Sequence, residues 1–253
     1  MSSKPDDWPE GVARHVLERT DSTMSEAARL APQLAGPAWI LALEQTAARG
    51  RRGREWKHPK GNFSATLVMK PWQGVEHAAL YSFVAALALD EALAQLVGPH
   101  ARLSIKWPND VLLNGGKIAG ILLESLGVGG QISHLAIGIG VNLTEAPGAA
   151  DVEPGAMAPV SLLGETGTAI TPQEFLPFLA RAFAKYQRQF DSYGFAPIRT
   201  AWLLRAARLG ETVIARMSIE TVTGRFETID ETGNMILITA EGRRAIAAGD
   251  IFF

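Results

Sequence analysis

The chain contains no cysteine. That excludes disulfides, thiolate catalysis and zinc sites built on cysteine, and it leaves the compartment open. Net charge is also scarce: 24 Lys and Arg against 26 Asp and Glu give a formal −2. Nothing global therefore argues for a nucleic-acid partner or an anionic membrane. Long apolar runs are missing too. The longest, residues 78–97, is broken by Asp90 and Glu91 and is too polar and too periodic to span a membrane. Residues 1–11 read as a flexible, polar leader with no apolar core, so no signal peptide is expected. No internal repeat and no low-complexity segment is present. What remains is 253 residues at 47% hydrophobic and 20% charged, an ordinary globular composition with room for a large core. The default expectation is a cytoplasmic enzyme or binding protein.

The most informative stretch runs from Lys106 to Glu124. It reads as two β-strands joined at Asn114-Gly115, a pair suited to a turn whose central residues both need positive φ. Val111–Leu113 and Ile118–Leu123 are apolar enough to be buried, yet Lys106, Asn109, Asp110 and Lys117 lie among them. Buried charge is costly unless it is paired or meets a ligand. Gly120 removes a side chain in mid-strand and lets another group approach the backbone. A cation at the mouth of an apolar slot suits a small ligand with an apolar body and an anionic end. An exposed lysine beside a plain hairpin explains the same residues equally well.

The rest of the chain alternates strands and helices. Val12–Leu17 suits a short strand. Thr23 with Glu26 forms a capping-box pattern, predicting a helix over Met24–Leu30 that Pro32 ends. Trp39–Glu44 and Asn62–Lys70 read as strands, the second with Phe63, Ala65, Leu67 and Met69 on one face. Pro71–Gly74 is a turn, and residues 78–97 form a buried helix. Ile132–Leu143 is a strand in which Gly138 and Gly140 signal close approach of another element or a ligand. Glu145–Pro159 is a surface loop. Thr171-Pro172 opens a helix that runs to Tyr193, and Ala196–Arg208 is another. From Gly210 onward, short alternating strands with a turn at Glu231–Asn234 predict a small β-barrel that packs on the main body.

Between strand and strand lies Arg49-Gly50-Arg51-Arg52-Gly53-Arg54. Four arginines and two glycines make neither a helix face nor a strand face, so this is a loop, expected to be mobile without a ligand. Glycines let backbone N–H groups reach an anion, and guanidinium groups clasp phosphate. No Walker A pattern is present. A solvated basic loop is the plainer alternative. Trp56, just beyond, suits either stacking on a ring or anchoring the loop.

Taken in order, several motifs resemble the biotin–protein ligases. They are Asp21-Ser22-Thr23, Glu44-Gln45-Thr46 with the Arg-Gly loop, Lys106-Trp107-Pro108-Asn109-Asp110, Lys117 to Leu122, and Gly138 to Leu143. The resemblance implies an α/β (α+β) fold: a mixed-sheet catalytic domain like that of class II aminoacyl-tRNA synthetases, over residues 12–208, and an SH3-like barrel over 209–253. It implies that ATP and biotin give biotinyl-5′-adenylate and pyrophosphate, and that biotin then passes to a lysine of a biotin carboxyl carrier protein. Mg²⁺ is the implied cofactor, with unknown ligands. Lys117 and Arg51 become the catalytic expectation. Biotin would meet Ser22, Thr23, Met24, Gln45, Arg49, Gly50, Arg51, Lys117 and Gly120. ATP would meet Arg49, Arg51, Arg52, Arg54, Trp56, Lys106, Asn109, Lys117 and Asn142, with Asp110 on the triphosphate side. Two positions depart from the family's habit: Ala48, where the loop usually starts with Gly, and Met24, where Asn is common. The short leader leaves no room for a DNA-binding helix-turn-helix, so a monofunctional ligase without nucleic-acid or membrane partners is expected. Some relatives form homodimers, and no residue here specifies one. A lipoate or octanoate ligase of the same fold, and a non-catalytic biotin- or nucleotide-binding module, are the competing readings.

Overall fold

A seven-stranded mixed sheet forms the body of the computed structural model, which describes residues 8–57, 59–71, 75–128, 131–148 and 157–253. Its strands are β1 (Ala13–Leu17), β2 (Ala38–Ala42), β3 (Phe63–Met69), β4 (Leu103–Lys106), β5 (Asp110–Leu113), β6 (Gly116–Val128) and β7 (Gln131–Val141). They lie in the order β1-β2-β3-β7-β6-β5-β4. β1 and β2 pair in parallel and the other ladders are antiparallel. Asn114 and Gly115 close the β5–β6 turn with φ of 51° and 86°, the conformation expected of Asn-Gly.

Alternation splits the sheet into two faces. Phe63, Ala65, Leu67 and Met69 of β3 and Ile137, Ile139 and Val141 of β7 belong to one large buried cluster. The helices α3 (Tyr81–Ala94) and α5 (Pro172–Tyr193) complete that cluster, and the short α2 (Val75–Ala78) precedes α3. α3 is buried on nearly every side. α5 is amphipathic, and its N-terminus carries the full capping box between Thr171 and Glu174. On the opposite face the strands place Ser64, Thr66, Gly138 and Gly140, with Ser64 opposite Gly140 and Thr66 opposite Gly138. There α1 (Thr23–Leu30) packs Met24, Ala27 and the following Ala31 against Ile40, Val68 and Ala136.

The C-terminal residues build a five-stranded antiparallel sheet from β8 (Thr212–Arg216), β9 (Thr221–Ile229), β10 (Met235–Thr239), β11 (Gly242–Ile246) and β12 (Asp250–Phe252). Its order is β11-β10-β9-β8-β12. Val213, Phe226, Leu237 and Ile251 join the main core, so this small β-domain packs on the body. The Trp107 indole N–H donates to Gly233 O at 3.0 Å, and the Arg199 guanidinium donates to Ile229 O.

Several expectations need correction. The cap of α1 is Ser22, whose Oγ accepts from Met24 N, not Thr23; Glu26 binds Arg29 instead. The helix expected to reach Arg208 is α6 (Phe195–Leu203). Beyond it the backbone leaves the helix to pair with β4: Ile105 N donates to Arg205 O and Ala207 N donates to Ile105 O. A short helix, α4 (Leu162–Thr166), capped by Ser161, had no expectation attached to it. Most of the leader, most of the Pro71–Gly74 turn and the centre of the Glu145–Pro159 loop lie outside the described residues.

Candidate active site

The polar face of the sheet opens into a cavity of about 480 Å³. Its floor is glycine. Gly120 pairs with Gly140 across the β6–β7 ladder, and Leu122 pairs with Gly138. A Cβ on Gly140 would stand 2.7 Å from the Trp56 indole, one on Gly120 3.1 Å from the same ring, and one on Gly138 2.7 Å from Met24 Sδ. The expected close approach is therefore made by Trp56 and Met24, whose side chains lie where side chains on the strands would otherwise stand.

A β-bulge decides where Lys117 goes. The register slips between Val111 and Leu112, so that Asp110 pairs with Gly120 but Leu112 pairs with Lys117. Residues three apart on a regular strand face opposite ways; the bulge puts Lys117 and Gly120 on one side. Lys117 Nζ then reaches Asp110 Oδ1 at 2.8 Å and lies 5.5 Å from the centre of the Trp56 ring. Its backbone is pinned on the far side, where Lys117 N donates to Ala158 O and Val160 N donates to Lys117 O. The exposed-hairpin alternative does not hold, since Lys117 lines the cavity and is paired there.

At one end of the cavity lie Ser22, Thr23, Gln45 and Ser64. Thr23 N donates to Gln45 Oε1 at 2.7 Å, which leaves the Gln45 amide nitrogen as the donor end. Thr66 Oγ1 donates to Thr23 Oγ1 at 2.9 Å. At the other end is Asn142, whose Nδ2 donates to Val160 O at 3.0 Å. Its Oδ1 is buried and has no hydrogen-bond partner. A buried, orphaned acceptor in a cavity wall awaits a donor.

The Arg-Gly stretch is folded rather than splayed. Gly50 N donates to Arg54 O at 2.7 Å and Trp56 N donates to Ala48 O at 3.0 Å, closing a small hairpin. Its tip is a 3-10 turn, Arg51–Gly53, in which Arg52 has φ of 56°. The four guanidinium groups go different ways. Arg49 is held by Glu124 at 2.9 Å and by Ser25 Oγ at 3.1 Å, and Glu124 raises its pKa. Arg51 Nη1 donates to Asn109 Oδ1 at 3.2 Å, and burial lowers its pKa. Arg52 and Arg54 bind Asp250 Oδ2 at 2.7 and 3.1 Å. Asn109 Nδ2 donates to Ile121 O at 2.6 Å, tying the loop to β6. Lys106 lies 5.4 Å from the centre of the Phe253 ring, and burial lowers its pKa.

Every other expected site residue lines this cavity; Arg52 does not, and its side chain binds Asp250. Among the lining residues that went unanticipated are Ser64 and Asp250. Ser64 was legible as the residue between Phe63 and Ala65 on a strand with one apolar face. Asp250 was not, since nothing local marks it; only the fold brings β12 to the loop. For a divalent ion the residues offer little. Among the described residues no group of three or more His, Asp or Glu side chains could hold a metal. The Asp110 carboxylate is already paired with Lys117. A resident metal site does not fit here; a Mg²⁺ ion carried in by a nucleotide's phosphates belongs to the substrate.

Comparison with known proteins decides the family. Residues 16–142 match the Biotin/lipoate A/B protein ligase family, and residues 209–253 match the Biotin protein ligase C terminal domain. A biotin–[acetyl-CoA-carboxylase] ligase of Paracoccus denitrificans is 61% identical over 94% of this chain and 99% of its own length. The chain belongs to the biotin/lipoate protein ligase family. The bifunctional ligase/repressor BirA of Bacillus subtilis is 32% identical over 95% of this chain and 73% of its own. In fold, the chain is similar to the biotin protein ligase of Aquifex aeolicus, solved with biotin and ATP. That likeness has a TM-score of 0.80 at 24% identity, covering 94% of this chain and 97% of the other. Among the described residues no helix of this family member is long and apolar enough to cross a membrane.

Proposed function

We propose that the chain is an ATP-dependent biotin–protein ligase that acts in the cytoplasm on a biotin carboxyl carrier protein. The observation that carries this reading is Lys117. It lines one cavity together with the hydroxyl and amide groups of Ser22, Thr23, Gln45 and Ser64, arginines of the hairpin and Asn142. The first end matches the ureido ring of biotin, which needs a donor for its carbonyl and acceptors for its two N–H groups. Ser22, Thr23 and Gln45 offer both kinds, Ser64 adds a hydroxyl, and Leu122 gives an apolar wall. The second end matches a nucleotide. Asn142 Oδ1 is a free acceptor for the adenine amino group, Trp56 offers a ring face, and Arg51 and Arg54 face the phosphates.

In the first step a carboxylate oxygen forms a bond to the α-phosphorus and pyrophosphate leaves. Two anions must meet, so the chain has to fix positive charge at the meeting point. Lys117 does so, oriented by Asp110, and Arg51 adds a second cation from the hairpin, oriented by Asn109. In the second step a carrier lysine amine attacks the acyl carbon, the amide bond forms and AMP leaves. The hairpin then shields the mixed anhydride from water until the carrier docks. Neither step requires a strong base at Lys117. The carrier, the cytoplasmic location and the residue roles belong to the proposal, and so does Mg²⁺ as the partner of ATP. The test is exchange of labelled pyrophosphate into ATP, with biotin or lipoate supplied in turn. Biotin-dependent exchange is expected. Exchange with lipoate alone would move the protein to the other branch of its family, and none with either would overturn the enzyme reading.

A further inference from the structure

Three arginines of the hairpin surround one carboxylate from the other domain. Asp250 opens β12, the last strand of the small β-domain. Its carboxylate lies 2.7 Å from Arg52, 3.1 Å from Arg54 and 3.9 Å from Arg51. These contacts join positions nearly two hundred residues apart. They also fall on a backbone that is not at ease. Arg52 holds φ of 56°, a left-handed conformation that a non-glycine residue rarely keeps unless its surroundings enforce it. Burial lowers the pKa of Arg51; the Asp250 and Asp110 carboxylates counter that, and the neighbouring Arg52 and Arg54 cations add to it.

We infer that Asp250 is a positioning residue for the nucleotide side of the site, holding the arginine hairpin through Arg52 so that Arg51 is presented to the phosphates. The division of labour follows from where the side chains end. Arg52 does not line the cavity and commits its guanidinium to the Asp250 carboxylate, so it serves as the anchor. Arg51 lines the cavity and hydrogen-bonds the neutral Asn109 amide, with the Asp250 carboxylate farther off at 3.9 Å, so its closest partner is one that a phosphate can replace without breaking a short ion pair. The small β-domain thereby acts on the reaction without reaching the biotin end. Its seat does not depend on this carboxylate, because Trp107 to Gly233 and Arg199 to Ile229 fix it independently.

This rests on the ligase reading, and the test separates the two. The parent, Asp250→Asn, Asp250→Glu, Arg52→Ala and the double variant Arg52→Ala/Asp250→Asn are compared. The readouts are biotin affinity without nucleotide, the KM for ATP, and the lifetime of enzyme-bound biotinyl-adenylate in a chase. Asp250→Asn should raise the KM for ATP and shorten the adenylate lifetime, each roughly three- to tenfold, while biotin affinity stays unchanged. Asp250→Glu should recover most of the loss. Arg52→Ala should resemble Asp250→Asn, and the double variant should be no worse than Asp250→Asn alone, because each residue acts through the other. Additive losses would show that Arg52 touches the nucleotide itself and would overturn the anchor role. So would an Asp250→Asn enzyme with parental KM and adenylate lifetime. Equal losses of biotin and ATP binding would reduce Asp250 to general stability and overturn it as well. A parent that forms no adenylate at all refutes the ligase reading instead.

Discussion

On β3, Phe63, Ala65, Leu67 and Met69 lie in the cluster with α3 and α5, whereas Ser64 and Thr66 alternate with them on the other face. β7 repeats the pattern with Ile137, Ile139 and Val141 against Gly138 and Gly140. One face carries large apolar groups and edge-on aromatic pairs, such as Trp39 with Phe183 at 6.0 Å and Phe63 with Phe175 at 5.0 Å. The other carries hydroxyls and bare backbone at the cavity, beside the smaller apolar cluster under α1. Stability and chemistry are thus assigned to opposite sides of the same strands. A sheet can leave one face under-packed for a ligand only because its other face is over-supplied with core.

This separation can be broken from either side. The largest effect on folding is expected from Trp39→Ala, which removes a side chain 1% exposed from the core face. It should cost about 3–5 kcal/mol of stability, measured by denaturant unfolding, while the folded fraction keeps parental biotin affinity. Lys117→Ala attacks the site face. It should lower adenylate formation by about 10²- to 10³-fold, equivalent to about 2.7–4 kcal/mol in the transition state, with an unchanged unfolding midpoint. An unfolded Lys117→Ala protein would mean that the Lys117–Asp110 pair belongs to the framework. The smallest effect is expected from Gly140→Ala, whose new methyl group must push Trp56 aside. A loss of about 1 kcal/mol in ATP binding, roughly fivefold in KM, is expected with little change in stability. If that variant unfolds, the glycine floor is structural and the contrast between the faces fails.

Much of this was legible in the residues. Period-two alternation announced β3, and the Asn-Gly turn announced the hairpin and its positive φ values. The glycines of β7 announced a close approach, although Trp56 and Met24 make it rather than a ligand alone. Three things were not legible. The bulge at Val111–Leu112 changes the face of Lys117, and no sequence period records a register slip. Ser22 rather than Thr23 caps α1, because Thr23 is drawn by its backbone to Gln45 and by its hydroxyl to Thr66. Asp250 meets the arginines only through tertiary structure. The two departures from the family's habit have physical readings. Ala48 is buried and uses its carbonyl to close the hairpin, a role a methyl group does not obstruct. Met24 packs its sulfur against Gly138, filling space from α1.

On the ligase reading, the polar face makes and keeps a mixed anhydride of biotin and AMP. Native mass spectrometry of the protein after incubation with biotin, ATP and Mg²⁺ tests it most directly. A bound biotinyl-adenylate is predicted on the parent and on no more than a trace of Lys117→Ala, with both proteins folded. Equal adenylate on both, or biotin and ATP bound side by side without reaction in the parent, would contradict it.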